Sequence, residues 1–163
     1  MTTAMATEQE TVVPQPIPAA TLAAAPGFDL LYAEVQQFYA EHFQLLDEGA
    51  ADKWAEMFTE DGTFAPPTLP EPVRGRADLA AAVRRSAGEL ATASEVHRHW
   101  HGMVAVHPQD DGSLRVRCYA LVIATLRRGE TRIHRACVCE DVLVREEGRL
   151  RVRTRRVTRD DLP

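Results

Sequence analysis

Lysine is nearly missing from this chain, since Lys53 is the single lysine among nineteen basic residues of 163. That bias toward arginine, together with abundant alanine, suits a high-GC genome such as that of an actinobacterium. Long apolar runs are missing too, and the segment MTTAMATEQETVVPQPIPAATLAAAPG carries Glu8 and Glu10 rather than a basic start, so it reads as neither a signal peptide nor a membrane span. No glycine-rich phosphate loop or dinucleotide fingerprint occurs, which leaves cofactor-independent chemistry as the economical expectation. Cysteine is sparse and odd in number: Cys118, Cys137 and Cys139 make no disulfide framework, and a reducing cytoplasm is the expected compartment.

The length suffices for one domain with a sizeable core and is too short for two ordinary ones. Pro14, Pro16, Pro18 and Pro26 among Ala and Thr mark residues 1–27 as a disordered or extended tail, with the domain expected over 28–160. The net charge of −5 is unevenly spread, with 8 Lys+Arg against 17 Asp+Glu in residues 1–126 and 11 against 5 in residues 127–159. The basic third is not read as a nucleic-acid surface. Arg149, Arg151, Arg153 and Arg155 alternate with apolar or small residues as on a solvated strand face, and aromatics are almost absent there.

Along the chain, Leu31, Val35, Phe38, Leu45 and Leu46 keep helical spacing from Phe28 to about Glu48, with His42 on the same stripe. A short helix follows over about Ala51 to Phe58, carrying Trp54, and Asp61-Gly62 reads as a turn into a strand around Thr63-Phe64-Ala65. The proline-rich stretch Pro66 to Pro72 is stiff and unfit for a sheet interior. A third helix is expected over about Asp78 to Leu90. Four strands are then expected, over about Glu95 to His107, Leu114 to Leu126, Thr131 to Val144 and Arg149 to Val157. Turns at Asp111-Gly112, Arg128-Gly129 and Glu147-Gly148 join them into an antiparallel meander. Helices first and a meander afterwards make an α+β domain with three helices packed on one face of a curved sheet.

The chemistry is concentrated in His97-Arg98-His99-Trp100-His101, where three imidazoles fall at every second position and so face one side of a strand. Imidazole moves protons near neutral pH, and it also binds metals. Three ligands at i, i+2 and i+4 of a straight strand span about 13 Å between outer Cα atoms at roughly 3.3 Å per residue, too far for all to reach one ion. A metal is therefore not expected, and Cys137 and Cys139 read as small packing residues of a buried strand. Each histidine also has a bland explanation, as a core side chain satisfied by a neighbour.

The order of elements, with Leu46-Asp47, Trp54 to Asp61-Gly62-Thr63-Phe64, Arg74-Gly75-Arg76, Arg98-His99-Trp100 and Asp141 to Val152, resembles the SnoaL-like branch of the nuclear-transport-factor-2-like superfamily over about residues 28–159. The resemblance implies a cone-shaped α+β barrel with a pocket between helices and sheet, dimerised through the sheet. Members include polyketide cyclases, scytalone-type and bile-acid-type dehydratases, isomerases, and non-catalytic small subunits of ring-hydroxylating dioxygenases. By that resemblance His99 and Asp47 match a catalytic histidine and its acidic partner. His42 falls where one dehydratase type has a pocket tyrosine, and Arg159 where it has an arginine near the end of the last strand. The expected function is a cofactor-independent cyclase, isomerase or dehydratase acting on a polyketide- or terpenoid-like molecule in bacterial secondary metabolism. Catalysis is assigned to His99, Asp47 and His42, and substrate binding to His97, His101, Tyr119, Trp54, Phe38, Ile123 and Arg159. The alternative is a non-catalytic ligand-binding or assembly module. It gains from one departure: where the dehydratases place a second Asp or His, Ala120 to Ala124 is wholly apolar.

Overall fold

The computed structural model describes residues 27–162. The expected tail lies, apart from Gly27, outside them. Helix α1 spans Phe28–Asp47 and buries Val35, Phe38, Tyr39, His42 and Phe43, the stripe that a 3.6-residue period requires. It stops at Gly49, whose φ of 70° is left-handed. The Gly49 N–H donates to the Leu46 carbonyl and the Ala50 N–H to the Leu45 carbonyl, which satisfies the terminal carbonyls and makes Asp47 the last helical residue. Helix α2 (Ala51–Glu56) follows, then β1 (Phe58–Ala65), β2 (Val73–Arg74), α3 (Arg76–Ala93), β3 (Glu95–Pro108), β4 (Leu114–Leu126), β5 (Thr131–Glu146) and β6 (Arg149–Arg159).

The α+β architecture is as read from the sequence, with three helices against one sheet ordered β2-β1-β6-β5-β4-β3. Three features differ. The sheet is not closed into a barrel, because β2 and β3 are its free edges. The long strands β3 to β6 are antiparallel neighbours, but β1 pairs parallel with β6. Asp61-Gly62 is also no turn: it lies in an irregularity inside β1, where a Cβ on Gly62 would sit 2.9 Å from that of Phe58. No helix among the described residues is long and apolar enough to cross a membrane.

Three register shifts decide which side chains face the helices. In β3 one lies between Gly102 and Ala105, where Met103 takes a φ of 52°, so inward positions pass from His97, His99 and His101 to Val106. In β5 the shift falls at His134. In β6, Val152 pairs with Leu143 but Thr154 with Val142, so Arg153 is an extra residue. One extra residue reverses the alternation. Leu150 and Val152 point inward before it, and Arg155 after it. This corrects the reading of Arg155 as part of a solvated face, since it is 3% exposed.

Burying a guanidinium requires partners, and Arg155 has them. Its Nε donates to both oxygens of buried Asp141 at 2.9 and 3.1 Å, and its Nη2 donates to Asp141 Oδ2 at 2.6 Å. Tyr39 of α1 donates its hydroxyl to the same Oδ2 at 2.7 Å, and His42 accepts from Arg155 Nη1 at 2.5 Å. Burial disfavours the charge on Arg155, but Asp141 outweighs it and holds the guanidinium protonated. Removing one member leaves an uncompensated buried charge. Arg155→Met is expected to cost about 3–5 kcal/mol in urea denaturation, and adding Asp141→Leu to recover most of it. Equal loss in the single and double variants would contradict this account.

Candidate functional site

A cavity of about 530 Å³ lies between α3, the end of α1 and the inner face of the sheet. Its floor is made of small side chains. His99 of β3 pairs with Val122 of β4, which pairs with Arg135 of β5, and the next row runs His101, Ala120, Cys137, Arg159. Ala120 and Val122 are too short to fill the space between flanking histidines and arginines. The walls come from α3, with Ala82, Val83 and Leu90, and from the proline-rich loop through Pro66 and Pro67.

Asp47 and His99, far apart in sequence, meet at the cavity wall. Asp47 Oδ1 lies 2.6 Å from His99 Nδ1, and Asp47 Oδ2 accepts the His99 backbone N–H at 3.0 Å. A carboxylate only accepts, so the imidazole proton belongs on Nδ1 and Nε2 is left as the basic nitrogen. Both carboxylate oxygens are thus spent on fixing one residue. His97, His101, Trp54 and Arg159 line the same cavity. His97 is held by Glu95 at 3.0 Å, and His101 Nδ1 lies 3.2 Å from Cys118 Sγ.

The remaining expected site residues stand elsewhere. His42 is fully buried behind Arg155, with its ring stacked on Phe38, and neither lines the cavity. Tyr119, 52% exposed, and Ile123 alternate with Ala120 and Val122 and so occupy the opposite face of β4. Sequence reasoning missed Arg155 and Arg135, both of which line the cavity. The available signal was Asp141, which shares inward parity with Cys137, Cys139 and Leu143; a carboxylate at such a position calls for a buried cation.

The electrostatics divide the histidines. Burial, reinforced by the Arg155 charge, pushes His101 down to about 2 and holds His42 well below the ordinary histidine value. Both are neutral at physiological pH. Among the described residues, His101, Cys118 and Cys139 bring potential ligand atoms within 4.8 Å of one another, and a hydrogen bond with Cys118 and burial push the Cys139 thiol up. The three alternating histidines do not converge on one point, each being tied to a different partner.

Neutral buried histidines make stability depend on pH in a defined direction. The unfolded chain binds protons near the ordinary value of about 6.5 while the folded chain does not, so stability is fully present above that pH and is lost as pH falls. Between about pH 6.5 and 5.5 the two sites together are expected to cost roughly 2 kcal/mol in urea denaturation. The drop should shrink in His101→Gln, and a flat profile over that interval would refute the assignment.

Comparison with known proteins follows the same lines. The SnoaL-like domain family matches residues 30–156. The structure of ActVI-ORFA from Streptomyces coelicolor is 31% identical, with a TM-score of 0.77 over 83% of this chain and 98% of that one. A protein from Catenulispora acidiphila, solved in complex with S-DNPA, is 34% identical, with a TM-score of 0.71 over 82% of this chain and 96% of that one. The β subunit of an aromatic-ring-hydroxylating dioxygenase from Novosphingobium aromaticivorans shares the fold alone, at 20% identity and a TM-score of 0.67 over 83% of this chain and 93% of that one. No curated protein matches the sequence. Matched over most of its length, the chain belongs to the SnoaL-like family.

Proposed function

We propose that the chain is a cofactor-independent enzyme of the polyketide-cyclase type, a cyclase, isomerase or dehydratase acting on a polyketide- or terpenoid-like small molecule of bacterial secondary metabolism. The observation that carries this reading is the clamp of Asp47 on His99 at the wall of a mostly apolar cavity. A volume of about 530 Å³ is in the range of small-molecule sites. The S-DNPA complex of the Catenulispora protein supports a small-molecule ligand here as well.

In this reading His99 Nε2 takes a proton from carbon next to a carbonyl, or from a hydroxyl. The electron pair of the broken C–H bond moves onto the carbonyl oxygen as an enolate, and Asp47 stabilises the imidazolium until the proton is returned. The enolate needs a donor. Neither His42, buried behind Arg155, nor Tyr119, on the far face, is placed to serve, which leaves a second pocket histidine, and His101, whose Nε2 is buried on the cavity lining without a partner, takes that role. The apolar walls exclude water and hold one conformer of a flexible substrate, which lowers a cyclisation barrier by positioning.

Residues 28–160 are taken as the domain, residues 1–27 as an attached tail, and the cytoplasm as the compartment. The chain is further taken to form a homodimer through the outer sheet face. That face exposes Trp100, Tyr119 and Ile133. Light scattering at micromolar concentration should give twice the 18.1 kDa chain mass. A monomer at that concentration would contradict the dimer.

The proton chemistry is testable without the natural substrate, by NMR of α-hydrogen exchange into β-tetralone and related ketones in D2O. The unaltered protein should accelerate exchange, and His99→Ala and Asp47→Asn should each lower that rate by about 10²–10⁴-fold with the fold intact. Exchange no faster than in buffer across the ketones would favour the other reading, a non-catalytic module like the dioxygenase small subunits. The fold likeness and the lack of a second acid on β4 speak for that alternative.

A further inference from the structure

The three alternating histidines of β3 are strung out along one strand, but a cluster built across strands has no such span. His101 of β3, Cys118 of β4 and Cys139 of β5 stand on three adjacent strands and face the same inner side. Cys118 and Cys139 are directly paired, and His101 pairs with Ala120, two positions along from Cys118. Neighbouring strands are about 4.8 Å apart, so side chains on one face converge across a sheet as they cannot along a strand. His101 Nδ1 lies 3.2 Å from Cys118 Sγ, and the three potential ligand atoms all lie within 4.8 Å of one another.

That spacing is close to what an ion needs. With sulfur at about 2.3 Å and nitrogen at about 2.0 Å, the ligand atoms of a tetrahedral zinc ion are roughly 3.5–3.8 Å apart. The widest separation here exceeds this by no more than about an ångström, which a small rotation of one cysteine side chain closes. The imidazole is already held in place, its ring packed against Phe43 at 3.6 Å between centroids and against Tyr39 at 5.5 Å.

The donor set selects the kind of ion. Two sulfurs and an imidazole nitrogen suit a thiophilic cation, whereas magnesium and calcium take oxygen ligands. Cys118 and Cys139, 0% and 3% exposed, pack with Ala120, Cys137, Val104 and Val157, surroundings that offer a hard hydrated ion nothing. Two thiolates cancel the charge of a divalent ion. The loaded site is then neutral and fits near Arg155, whose own charge Asp141 balances. Among the described residues no further histidine, cysteine or carboxylate joins the three. His101 and Cys139 both line the cavity, which gives an ion its way in.

We propose that His101, Cys118 and Cys139 form a binding site for a thiophilic divalent cation of the zinc class, entered from the cavity. Binding breaks two S–H bonds, whose protons pass to solvent, and forms two bonds from sulfur and one from nitrogen to the metal. Nδ1 binds through its lone pair, so the imidazole hydrogen stays on Nε2, the atom assigned to the enolate. The ion ties three strands together and takes no part in the proton transfer at His99, and the proposal does not rest on that transfer.

The test uses the untagged, reduced full chain with zinc(II) and cobalt(II) as probes. Equilibrium dialysis at about 10 µM free zinc, read by elemental analysis, should give one zinc per chain. Cobalt(II) should produce a thiolate-to-metal charge-transfer band in the near ultraviolet, and zinc should displace it. A neighbour that only orients a ligand is already worth about 10–100-fold in metal affinity, so Cys118→Ser, Cys139→Ser and His101→Gln should each weaken zinc binding by at least about tenfold. Cys137→Ser, on the same face of β5 but outside the cluster, should bind zinc within about twofold of the unaltered chain. His99→Ala should keep the zinc while losing ketone exchange, so the two proposals are read separately. Less than about half a zinc per chain at that concentration, a cobalt spectrum without the charge-transfer band, or unchanged zinc affinity in the folded Cys118 and Cys139 variants would overturn the proposal. The cobalt spectrum of the unaltered chain needs no variant and decides the matter if the serine variants do not fold.

Discussion

The ion pair between Arg155 and Asp141 is the constraint on which the rest of this structure depends. It joins adjacent strands β5 and β6, and through Tyr39 and His42 it ties both to α1. A sheet open at both edges has no closure to fix its curvature, so the contacts of its inner face with the helices must do so. Helix α1 contributes apolar area from Val35, Phe38 and Phe43, but apolar contact is tolerant of sliding. A buried guanidinium with its donors aimed at named acceptors is not, because any slip leaves a charge or a donor unpaired. The register of α1 on the sheet is therefore set by polar geometry inside an apolar core.

That register in turn places the candidate base. Asp47 ends α1 because Gly49 adopts a left-handed conformation and closes the helix, and the carboxylate then faces β3 at the height of His99. The same cation has a second effect. It adds to burial in holding His42 and His101 neutral, and of the histidines near the cavity His99 is the one with a carboxylate on Nδ1. A neutral imidazole packed on Phe43 and a paired imidazole beside it are made different by surroundings, not by sequence position.

Much of this was legible in the sequence, and the part that was not has one physical origin. Helical periodicity from Phe28, the hairpin turn at Glu147-Gly148 and the alternation of His97, His99 and His101 are local patterns, and the helices and the four long strands follow them to within a few residues. The meeting of Asp47 and His99 was legible only through family resemblance, since nothing local brings residues 52 apart together. Facing was misread for Arg155 because a single extra residue at Arg153 reverses the parity of β6. Tyr119 and Ile123 were misassigned for a simpler reason: in an apolar strand such as Leu121-Val122-Ile123, composition does not say which face looks inward.

The register shifts are thus what separates this cavity from an ordinary two-layer core. Without the shift in β6, the Leu150 and Val152 parity would continue and an apolar or small side chain would replace Arg155 beneath α1. Without the shift at Met103, either the histidines or Val106 would face solvent. Each shift lets one strand serve two purposes, packing apolar side chains at one end and presenting polar ones to a cavity at the other. The polar half of β3 supplies the candidate base and the polar half of β6 a buried cation, while the middle strand β4 contributes only small side chains on the floor between them. A cavity with the candidate base on one side, a buried positive charge on the other and little bulk between is what the proposed proton transfer calls for.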